Sequence, residues 1–307
     1  MSVIFCSGIS RDTLYAQETI GGEGYQLGEF RGPYSVAIDL KNHRLYVGEE
    51  GNQRIQILDW PSRKPIGAID TKHDVHRIAV DDRGYLYADV KGGSEGDRIV
   101  VFDSNGWKVK ENKFPGRSES DRVTDFKLGN HGRIYVLMSG GSGEAASILQ
   151  AVDDGNLKIT ADYEIAGFGP DSSQTSSIAV DETRGRIYVG NWRIGTILVL
   201  NLDGTANRDL PRIQLPIIRK GYDDNDHGIY GLFVDPQGTL YAAGWTTGLV
   251  LAFNPNGALI HQINLKEAPG PTPSLGRPTG MAISPEGQLI ISDLERNHLK
   301  VFDSIQL

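Results

Sequence analysis

The sequence predicts an all-β fold, a six-bladed β-propeller of four-stranded antiparallel blades, and three observations support this prediction. An apolar strand, a tight polar turn and a second strand opening with Leu-Tyr, Ile-Tyr or Leu-Ile recur six times in the 307 residues. The copies are 41 to 53 residues apart, a spacing typical of propeller blades rather than helical repeats. Glycine fills 38 positions, which indicates many tight turns and few long helices.

Each copy supplies the strands of one blade in the same order. The first strands are at 36–39, 78–81, 126–128, 178–181, 232–235 and 281–284, and the second strands open at 45, 86, 134, 187, 240 and 289. A third apolar run follows in most copies, for example at 54–58 and 98–102. Turns such as Asn105-Gly106 then lead into a fourth, more polar strand, because Asn-Gly pairs supply the positive φ that tight hairpins need.

The two chain ends predict how the ring closes. The last copy has no fourth strand after Asp303, whereas residues 14–21 resemble the fourth strand at 259–265. We therefore expect the segment near 14–20 to pair with the strand near 298–303 and to complete the last blade. On this interpretation residues 1–307 form a single propeller domain, in which residues 1–10 have no assigned element.

The composition disfavours several classes of partner. A formal net charge of −8 argues against general electrostatic binding to nucleic acid or to an anionic membrane. The chain has no apolar run of about 18 residues and no basic start of a secretion signal. Cys6 is the one cysteine, so an intrachain disulfide is excluded, and it is interpreted as a small core residue. These features predict a cytoplasmic monomer with no nucleic-acid or membrane partner.

The last copy carries a recognisable repeat signature. Residues 291–303 read ISDLERNHLKVFD and contain an Asn-His-Leu triplet, and residues 46–55 are a second good match. These segments resemble the NHL repeat, and the resemblance extends over about 290 residues when the more divergent copies are included. It implies an NHL-type propeller. Because this fold hosts several chemistries and many interaction proteins, the resemblance says little about activity.

The resemblance places the walls of a central funnel at the starts of the innermost strands and in the loops joining second to third strands. The first set contains Tyr34, His76, Thr124, Ser176, Tyr230 and Thr279. The second set contains Glu49, Asp89, Ser139, Asn191, Trp192, Arg193, Trp245 and Asp293. This mixture suits a pocket with aromatic walls and with proton transfer by histidine or carboxylate. The alternative is an ordinary polar rim whose carboxylates cap turns.

Asp74, His76 and Arg77 form the densest acid–base cluster, because a carboxylate near an imidazole can orient it. The alternative is a turn aspartate beside a solvated histidine. A second cluster at 222–227 ends in His227; its oxygens could bind Ca²⁺, although a solvated acidic loop is favoured. The catalytic candidates are therefore His76 and His227 for proton transfer, with Asp74 and Arg77 beside His76.

The remaining candidates are predicted to bind the substrate. Arg122 and Arg277, together with Arg77, could stabilise an anion or an enolate. Aromatic walls would come from four residues, Tyr34, Trp192, Tyr230 and Trp245. Asp125 and Asn191 complete the predicted binding set.

Related propeller enzymes narrow the chemistry. Resemblance to calcium-dependent lactonases and gluconolactonases implies a metal-binding Glu just before the first inner strand. This chain has Arg31-Gly32-Pro33-Tyr34 there, and Glu29 lies out of register. The Pro-His-Gly of streptogramin-type lyases is matched only by His227-Gly228, without the proline, and the metal-binding histidines of amidating lyases only by His76 and His227. We therefore expect neither a metal ion nor a cofactor.

Two functions remain open from the sequence. The favoured hypothesis is a stand-alone enzyme that acts on a small-molecule substrate in the funnel by acid–base chemistry, as a lyase, cyclase, isomerase or hydrolase. The alternative is a non-catalytic protein-interaction scaffold. The sequence has no P-loop, Gly-x-Ser-x-Gly, HExxH or paired CxxC motif, so the funnel residues alone carry the first hypothesis.

Overall fold

The described residues form an all-β propeller whose blades are four-stranded antiparallel sheets. The computed structural model describes residues 16–92, 96–113, 122–130, 133–139, 147–150, 162–164, 175–191, 195–216, 228–244, 247–265 and 276–303. No helix in these ranges is long and apolar enough to cross a membrane. The fold class predicted from the repeats is confirmed at this level.

The strands follow the order of the repeats. After β1 (Glu18–Ile20), the first sheet contains β2 (Pro33–Asp39), β3 (Arg44–Glu49), β4 (Arg54–Asp59) and β5 (Pro65–Asp70). The second contains β6 (Val75–Val80), β7 (Leu86–Val90), β8 (Arg98–Phe102) and β9 (Lys108–Lys113). The third contains β10 (Arg122–Leu128), β11 (Ile134–Ser139), β12 (Ser147–Gln150) and β13 (Asp162–Glu164).

The later sheets repeat this arrangement. The fourth contains β14 (Thr175–Asp181), β15 (Arg186–Asn191), β16 (Thr196–Asn201) and β17 (Arg212–Gln214). The fifth contains β18 (Ile229–Val234), β19 (Leu240–Gly244), β20 (Leu249–Phe253) and β21 (Leu259–Asn264). The last sheet contains β22 (Pro278–Ile283), β23 (Leu289–Asp293) and β24 (His298–Phe302), with β1 as its fourth strand.

The sheets pack face to face around a central channel. The innermost strands contact one another in the order β2, β6, β10, β14, β18 and β22, and β22 contacts β2. The apolar cores lie between successive sheets, and each is built from the facing residues of two neighbours. One core joins Tyr46 and Ile55 of the first sheet to Val75 and Leu86 of the second. Each sheet therefore depends on its neighbours for burial of its apolar faces.

A β-bulge interrupts each inner strand close to its start. In β2 the register shifts between Pro33 and Ser35, in β6 between Val75 and Arg77, and equivalent shifts occur in the other four. The extra residues are Tyr34, His76, Thr124, Ser176, Tyr230 and, in a longer irregularity, Thr279 with Gly280. A bulge re-aims its extra residue out of the strand's alternation. These are the six positions that the repeat alignment predicts at the starts of the inner strands.

The aspartate and tyrosine of the repeat stabilise the other end of the inner strands. Asp235 Oδ1 accepts the backbone N–H of Thr239 at 2.8 Å, and its Oδ2 accepts the hydroxyl of Tyr241 at 3.3 Å. In the third sheet, Tyr135 instead donates to Glu182 of the next sheet at 2.7 Å. Burial, together with this bond, raises the pKa of Tyr135 to about 12. Tyr241 thus stabilises the hairpin of its own sheet, whereas Tyr135 links its sheet to the next one.

β1 completes the last sheet by pairing with β24, as the chain ends predict. Glu18 lies opposite Val301 and Ile20 opposite Leu299 in antiparallel register. The Ile20 side chain is buried in the core between the last and first sheets. The pairing covers an edge of β24 whose backbone groups would otherwise be exposed.

Removing residues 1–20 should open this seam. We expect the truncated chain to lose soluble monomer or to melt at a much lower temperature, because β24 gains an open edge and the core loses Ile20. Size-exclusion chromatography and thermal unfolding measure the two effects. Thr19→Ser keeps the hydroxyl that accepts from Nζ of Lys300 at 3.4 Å. It is the control and should change the free energy of unfolding by less than about 0.5 kcal/mol. A truncated chain that stays monomeric and melts at the same temperature as this control would contradict the role of the β1–β24 pairing in closing the ring.

Candidate functional site

The bulges bring their side chains to one end of the channel, called the upper mouth. It is defined by Tyr34, His76, Thr124, Ser176, Tyr230 and Thr279. Since each second strand runs antiparallel to its inner strand, the carboxylates that end the second strands lie at the same mouth. Glu49 is opposite Pro33, and Asp293 is opposite Pro278. Those members of the two predicted sets that the structure describes therefore lie at the same end of the channel.

His76 lies between the first and second sheets. Its imidazole stacks on the Tyr34 ring, with centroids 4.7 Å apart and planes inclined by 12°. Its Nε2 lies 3.8 Å from Oε1 of Glu50, and the His76 side chain is 29% exposed. The interaction with the imidazole lowers the pKa of Glu50, so this carboxylate is charged at neutral pH. The ring is thus oriented on one face, has an acidic neighbour and is open to solvent.

The carboxylate next to His76 differs from the one predicted. The sequence pairs His76 with Asp74, but Oδ1 of Asp74 accepts a hydrogen bond from Nε2 of Gln53 at 3.3 Å. Glu50 follows β3 and reaches His76 because the first and second sheets are neighbours. A contact between sheets leaves no signal in the residues adjacent to His76.

Arg77 links inner strands across the channel. Its Nε lies 3.2 Å from Oδ1 of Asp125 in β10. Its Nη2 donates to the carbonyl of Tyr230 at 2.9 Å, and its Nη1 donates to the carbonyl of Thr279 at 3.5 Å. The guanidinium carbon is also 4.9 Å from the centroid of the Tyr34 ring. Because protein oxygens engage these donors, the geometry favours a bracing role for Arg77 over direct contact with a substrate.

Asp125 anchors two cations at the channel centre. The Nζ of Lys127 lies 2.9 and 3.0 Å from its two oxygens. Its Oδ2 also accepts the hydroxyl of Ser177 at 2.7 Å and the backbone N–H of Ile178 at 3.0 Å. Burial acts to raise the pKa of Asp125, but Lys127 and Arg77 outweigh it and hold the pKa below its usual range. Asp125 is therefore a charged, well-bonded joint between the second, third and fourth sheets.

Asp89 is also buried, but its carboxylate is less well hydrogen-bonded than that of Asp125. Lys91 Nζ is 2.8 Å from its Oδ2, yet neither oxygen accepts a well-aligned hydrogen bond from the part of the chain that the structure describes. Lys91 is shared with Asp97, at 3.2 Å, and with the carbonyl of Val123, at 2.9 Å. Burial raises the pKa of Asp89, and Lys91 and His76 offset only part of this effect. A perturbed carboxylate near a histidine at a channel mouth is a candidate for proton transfer.

The other predicted residues are less closely connected to His76. Arg277 lies at the rim, with its Nε 3.4 Å from Oε2 of Glu295. Arg122 is exposed at the start of β10, and Asn191 is buried at the end of β15. The backbone carbonyl of Tyr230 accepts a hydrogen bond from Arg77. Outside the described residues lie His227, Trp192, Trp245, Cys6 and the acidic segment 222–227.

Two rim carboxylates have structural roles. Glu49 accepts the backbone N–H of Arg31 at 2.9 Å and Nε of Arg54 at 2.8 Å. Asp293 accepts the backbone N–H of Arg277 at 3.0 Å. In both sheets the carboxylate at the end of the second strand fixes the segment that leads into the inner strand. For these two residues the turn-capping alternative describes the structure.

The upper mouth does not fit the calcium site that the lactonase resemblance implies. The matching segment, residues 31–34, ends in Tyr34, whose ring faces His76 and the guanidinium of Arg77. Glu29 is hydrogen-bonded within its own loop, where its Oε2 accepts the backbone N–H of Gln26 at 3.1 Å. A fixed guanidinium at this position repels a divalent cation. Within the described ranges, no three His, Cys, Asp or Glu side chains are grouped so that they could hold a metal ion.

Comparison with known protein families gives two matches. The SMP-30/Gluconolactonase/LRE-like region matches residues 32–276, which is most of the chain. The NHL repeat matches residues 275–302, the segment with the Asn-His-Leu triplet. No curated protein sequence matches the chain at a significant level.

Solved structures with a similar fold are distant in sequence. Regucalcin, a calcium-binding protein from Agrobacterium tumefaciens, is 14% identical with a TM-score of 0.67, over 95% of this chain and 96% of that one. A gluconolactonase from Xanthomonas campestris is 15% identical with a TM-score of 0.63, over 94% and 98%. A catalytically inactive His-to-Ala variant of virginiamycin B lyase from Staphylococcus aureus, solved with quinupristin, is 14% identical with a TM-score of 0.60, over 94% and 88%.

The two buried aspartates should respond differently to loss of charge. Asp125→Asn leaves Arg77 and Lys127 without their shared carboxylate, so it should cost about 3–5 kcal/mol of unfolding free energy. Asp89→Asn removes a carboxylate that burial disfavours, while the neighbouring lysine keeps a second carboxylate partner. We therefore expect Asp89→Asn to be neutral or stabilising at pH 7. Chemical denaturation of both variants at pH 7 measures the difference.

The pH dependence of stability provides the control for this pair. Because the folded state raises the pKa of Asp89, its contribution to stability falls as pH rises from about 4 through the raised value, and Asp89→Asn should remove that fall. The lowered pKa of Asp125 has the opposite effect. Its contribution is present above about pH 4 and is lost as pH falls through the lowered value. Equal destabilisation by both substitutions would contradict the two assignments.

The misfit of the calcium site predicts that chelation has little effect. We expect EDTA to leave the melting temperature unchanged, since the segment 31–34 contains no Glu and the Arg77 guanidinium lies over the Tyr34 ring. Differential scanning fluorimetry with EDTA, followed by added Ca²⁺, tests this. A ligand that binds only the native state raises its stability, so a Ca²⁺-dependent rise of several degrees would contradict the expectation. Asp223, Asp224 and Asp226 would then be the first residues to substitute.

Proposed function

Since the chain belongs to the SMP-30/gluconolactonase/LRE-like family, we propose that it is an enzyme that acts on a small molecule at the upper mouth by acid–base chemistry. The proposal depends chiefly on one grouping, in which His76 lies beside the charged Glu50 and within electrostatic reach of the buried Asp89. Titratable groups placed close together in different environments are typical of catalytic centres.

His76 has the surroundings that a general base requires. The Tyr34 ring fixes the plane of the imidazole. The Glu50 carboxylate, 3.8 Å from Nε2, stabilises the imidazolium that forms when His76 takes a proton. Because the side chain is partly exposed, a substrate entering from the upper mouth can reach it.

Asp89 is the second titratable group of this proposal. Burial raises the pKa of Asp89, and Lys91 and His76 offset part of this effect. Its side chain is fully buried beside Lys91, so it affects the site through its interaction with His76 and does not touch the substrate. His76 is then the group that removes the first proton of the reaction.

The reaction class we favour is hydrolase or lyase. The gluconolactonase and the virginiamycin B lyase are relatives in fold, and the lyase is catalytically inactive as a His-to-Ala variant. Hydrolysis of a lactone and elimination across a carbon–oxygen bond share two needs, a base for the first proton and charge stabilisation at the leaving oxygen. His76, which is partly exposed at the upper mouth, matches the first of these needs.

We also propose that the ring has six blades. Six four-stranded sheets are present among the described residues, and their inner strands contact one another in a closed cycle. All six bulges then face one mouth, which explains how residues from position 34 to position 279 can contribute to one site.

His76→Ala should abolish most turnover while the protein stays folded. Loss of a general base lowers the rate by roughly 10²–10⁴-fold. The free energy of unfolding should fall by no more than about 1 kcal/mol, because the ring is partly exposed and its main loss is the stack on Tyr34. Hydrolysis and elimination are assayed on a panel of sugar lactones and cyclic depsipeptides. His73→Ala, an exposed histidine three residues earlier, is the matched control and should leave turnover unchanged.

Two further variants distinguish the candidate roles. Glu50→Gln should lower kcat by about tenfold with little change in KM, since it weakens stabilisation of the imidazolium without removing the base. His227→Ala tests the rival histidine. If only His227→Ala abolishes turnover, the roles of the two histidines are reversed. If neither histidine affects turnover of an identified substrate and both proteins melt normally, the histidine mechanism is wrong.

A further inference from the structure

A cavity lies at the opposite end of the channel from His76. Its volume is about 960 Å³, and it is lined by the ends of the inner strands and the turns that follow them. The inner strand β2 begins beside Tyr34 and ends before Leu40, which lines this cavity. At about 3.3 Å per residue, the two ends of such a strand are roughly 20 Å apart. We call this cavity the lower funnel.

The charged residues at the channel centre separate the lower funnel from the upper mouth. Arg77 reaches across the channel to the carbonyls of Tyr230 and Thr279, and Lys127 is paired with Asp125 beside it. A small molecule in the lower funnel therefore does not touch His76. The two ends of the channel are chemically distinct sites.

Aliphatic side chains form the wall of the lower funnel. Near the end of every inner strand one aliphatic residue is only half-buried: Ile38, Val80, Leu128, Val180, Val234 and Ile283. Each packs against a different one of the cores between sheets, and all but Ile38 line the cavity. Apolar surface left exposed in a concavity favours binding of an apolar molecule, because contact removes that surface from water.

The turns around this wall carry more negative than positive charge. Three guanidinium groups of these turns are already compensated, because Arg83 lies 3.0 Å from Asp81, Arg133 lies 3.5 Å from Glu182 and Arg184 lies 3.1 Å from Asp181. The lining includes five carboxylates, those of Asp81, Asp82, Asp181, Glu182 and Asp235. Asp82 is exposed at the rim. A concave site with an excess of one charge concentrates ligands of the opposite charge.

We propose that the lower funnel is a second ligand site, which binds a small amphipathic cation with its apolar body on the aliphatic wall and its ammonium group at the carboxylate rim. The cavity volume lies in the range of small-molecule pockets, so one ring and a short amine fit without rearrangement. The site is separate from the proposed catalytic centre, and ligand binding there does not require the proposed function to be correct.

Binding of three matched probes to the full chain tests the proposal. Benzylammonium, benzyl alcohol and benzoate share one ring and differ in charge, and methyl NMR titration at low salt measures their affinities and locates them. Benzylammonium should shift the methyl signals of Val180 and Val234 and should bind at least tenfold more tightly than benzoate. Benzyl alcohol should fall between the two. Absence of shifts at these methyls, or equal affinity for the cation and the anion, would overturn the proposal.

Charge reversal at the rim provides a second test that does not disturb the fold. Asp82→Lys should weaken benzylammonium about tenfold and leave benzyl alcohol nearly unchanged. Asp209→Lys makes the same charge change at an exposed position away from the cavity and should have no effect. Equal weakening by both substitutions would show a general charge effect and overturn the site. Val180→Lys, which places a cation in the wall, should abolish benzylammonium binding; retained binding in this variant would also overturn the site.

Discussion

The guanidinium of Arg77 is the group on which the centre of the molecule depends. A propeller has its apolar cores between blades, so the axis of the channel must be held by polar contacts that cross it. Arg77 supplies them by ion pairing with Asp125 and by donating to the carbonyls of Tyr230 and Thr279. A buried cation requires such compensation, and Asp125 in turn balances Lys127. The same charge disfavours a divalent cation at the mouth and divides the channel into two compartments.

The bulges in the inner strands place the side chains of the candidate site at one end of the channel that Arg77 holds together. In an unbroken inner strand, side chains would point alternately into the two flanking cores. Only backbone atoms would then face the channel axis. One extra residue near the start of each strand breaks this alternation and frees a side chain, as with Tyr34 and His76. Different residue types at equivalent positions then give one mouth its mixed chemistry, while the blade framework stays the same.

Repetition explains how much of this could be predicted from the sequence. The position of Tyr34 and His76 at the starts of the inner strands follows from aligning the copies, and the pairing of β1 with β24 follows from the strand that the last copy lacks. Contacts between copies do not recur, so Glu50 beside His76 and Asp125 beneath Arg77 have no sequence signal. The prediction that Arg77 holds an anion illustrates the limit, because the carboxylate and carbonyls that engage it come from later strands.

The unusual environment of Asp89 could not be foreseen for a related reason. Its residue type suggests an ionised carboxylate at a loop, but β7 places it where solvent is excluded and where Lys91 is shared with other oxygens. Burial and competition for a cation are properties of the assembled sheets. They raise the pKa of this residue, and the residues adjacent to position 89 in the sequence give no sign of either property.

The pairing of β1 with β24 also affects the order in which the chain folds. Glu18 and Val301 are neighbours in space but belong to opposite ends of the polypeptide. Bringing such distant segments together carries a large loop entropy and is slow in proteins dominated by non-local pairing. Pairs such as β2 with β3 join residues only a few positions apart and can form early. We therefore expect a ribosome-bound chain to hold several formed hairpins in an open arc, which becomes a circle only after the segment containing β24 has emerged.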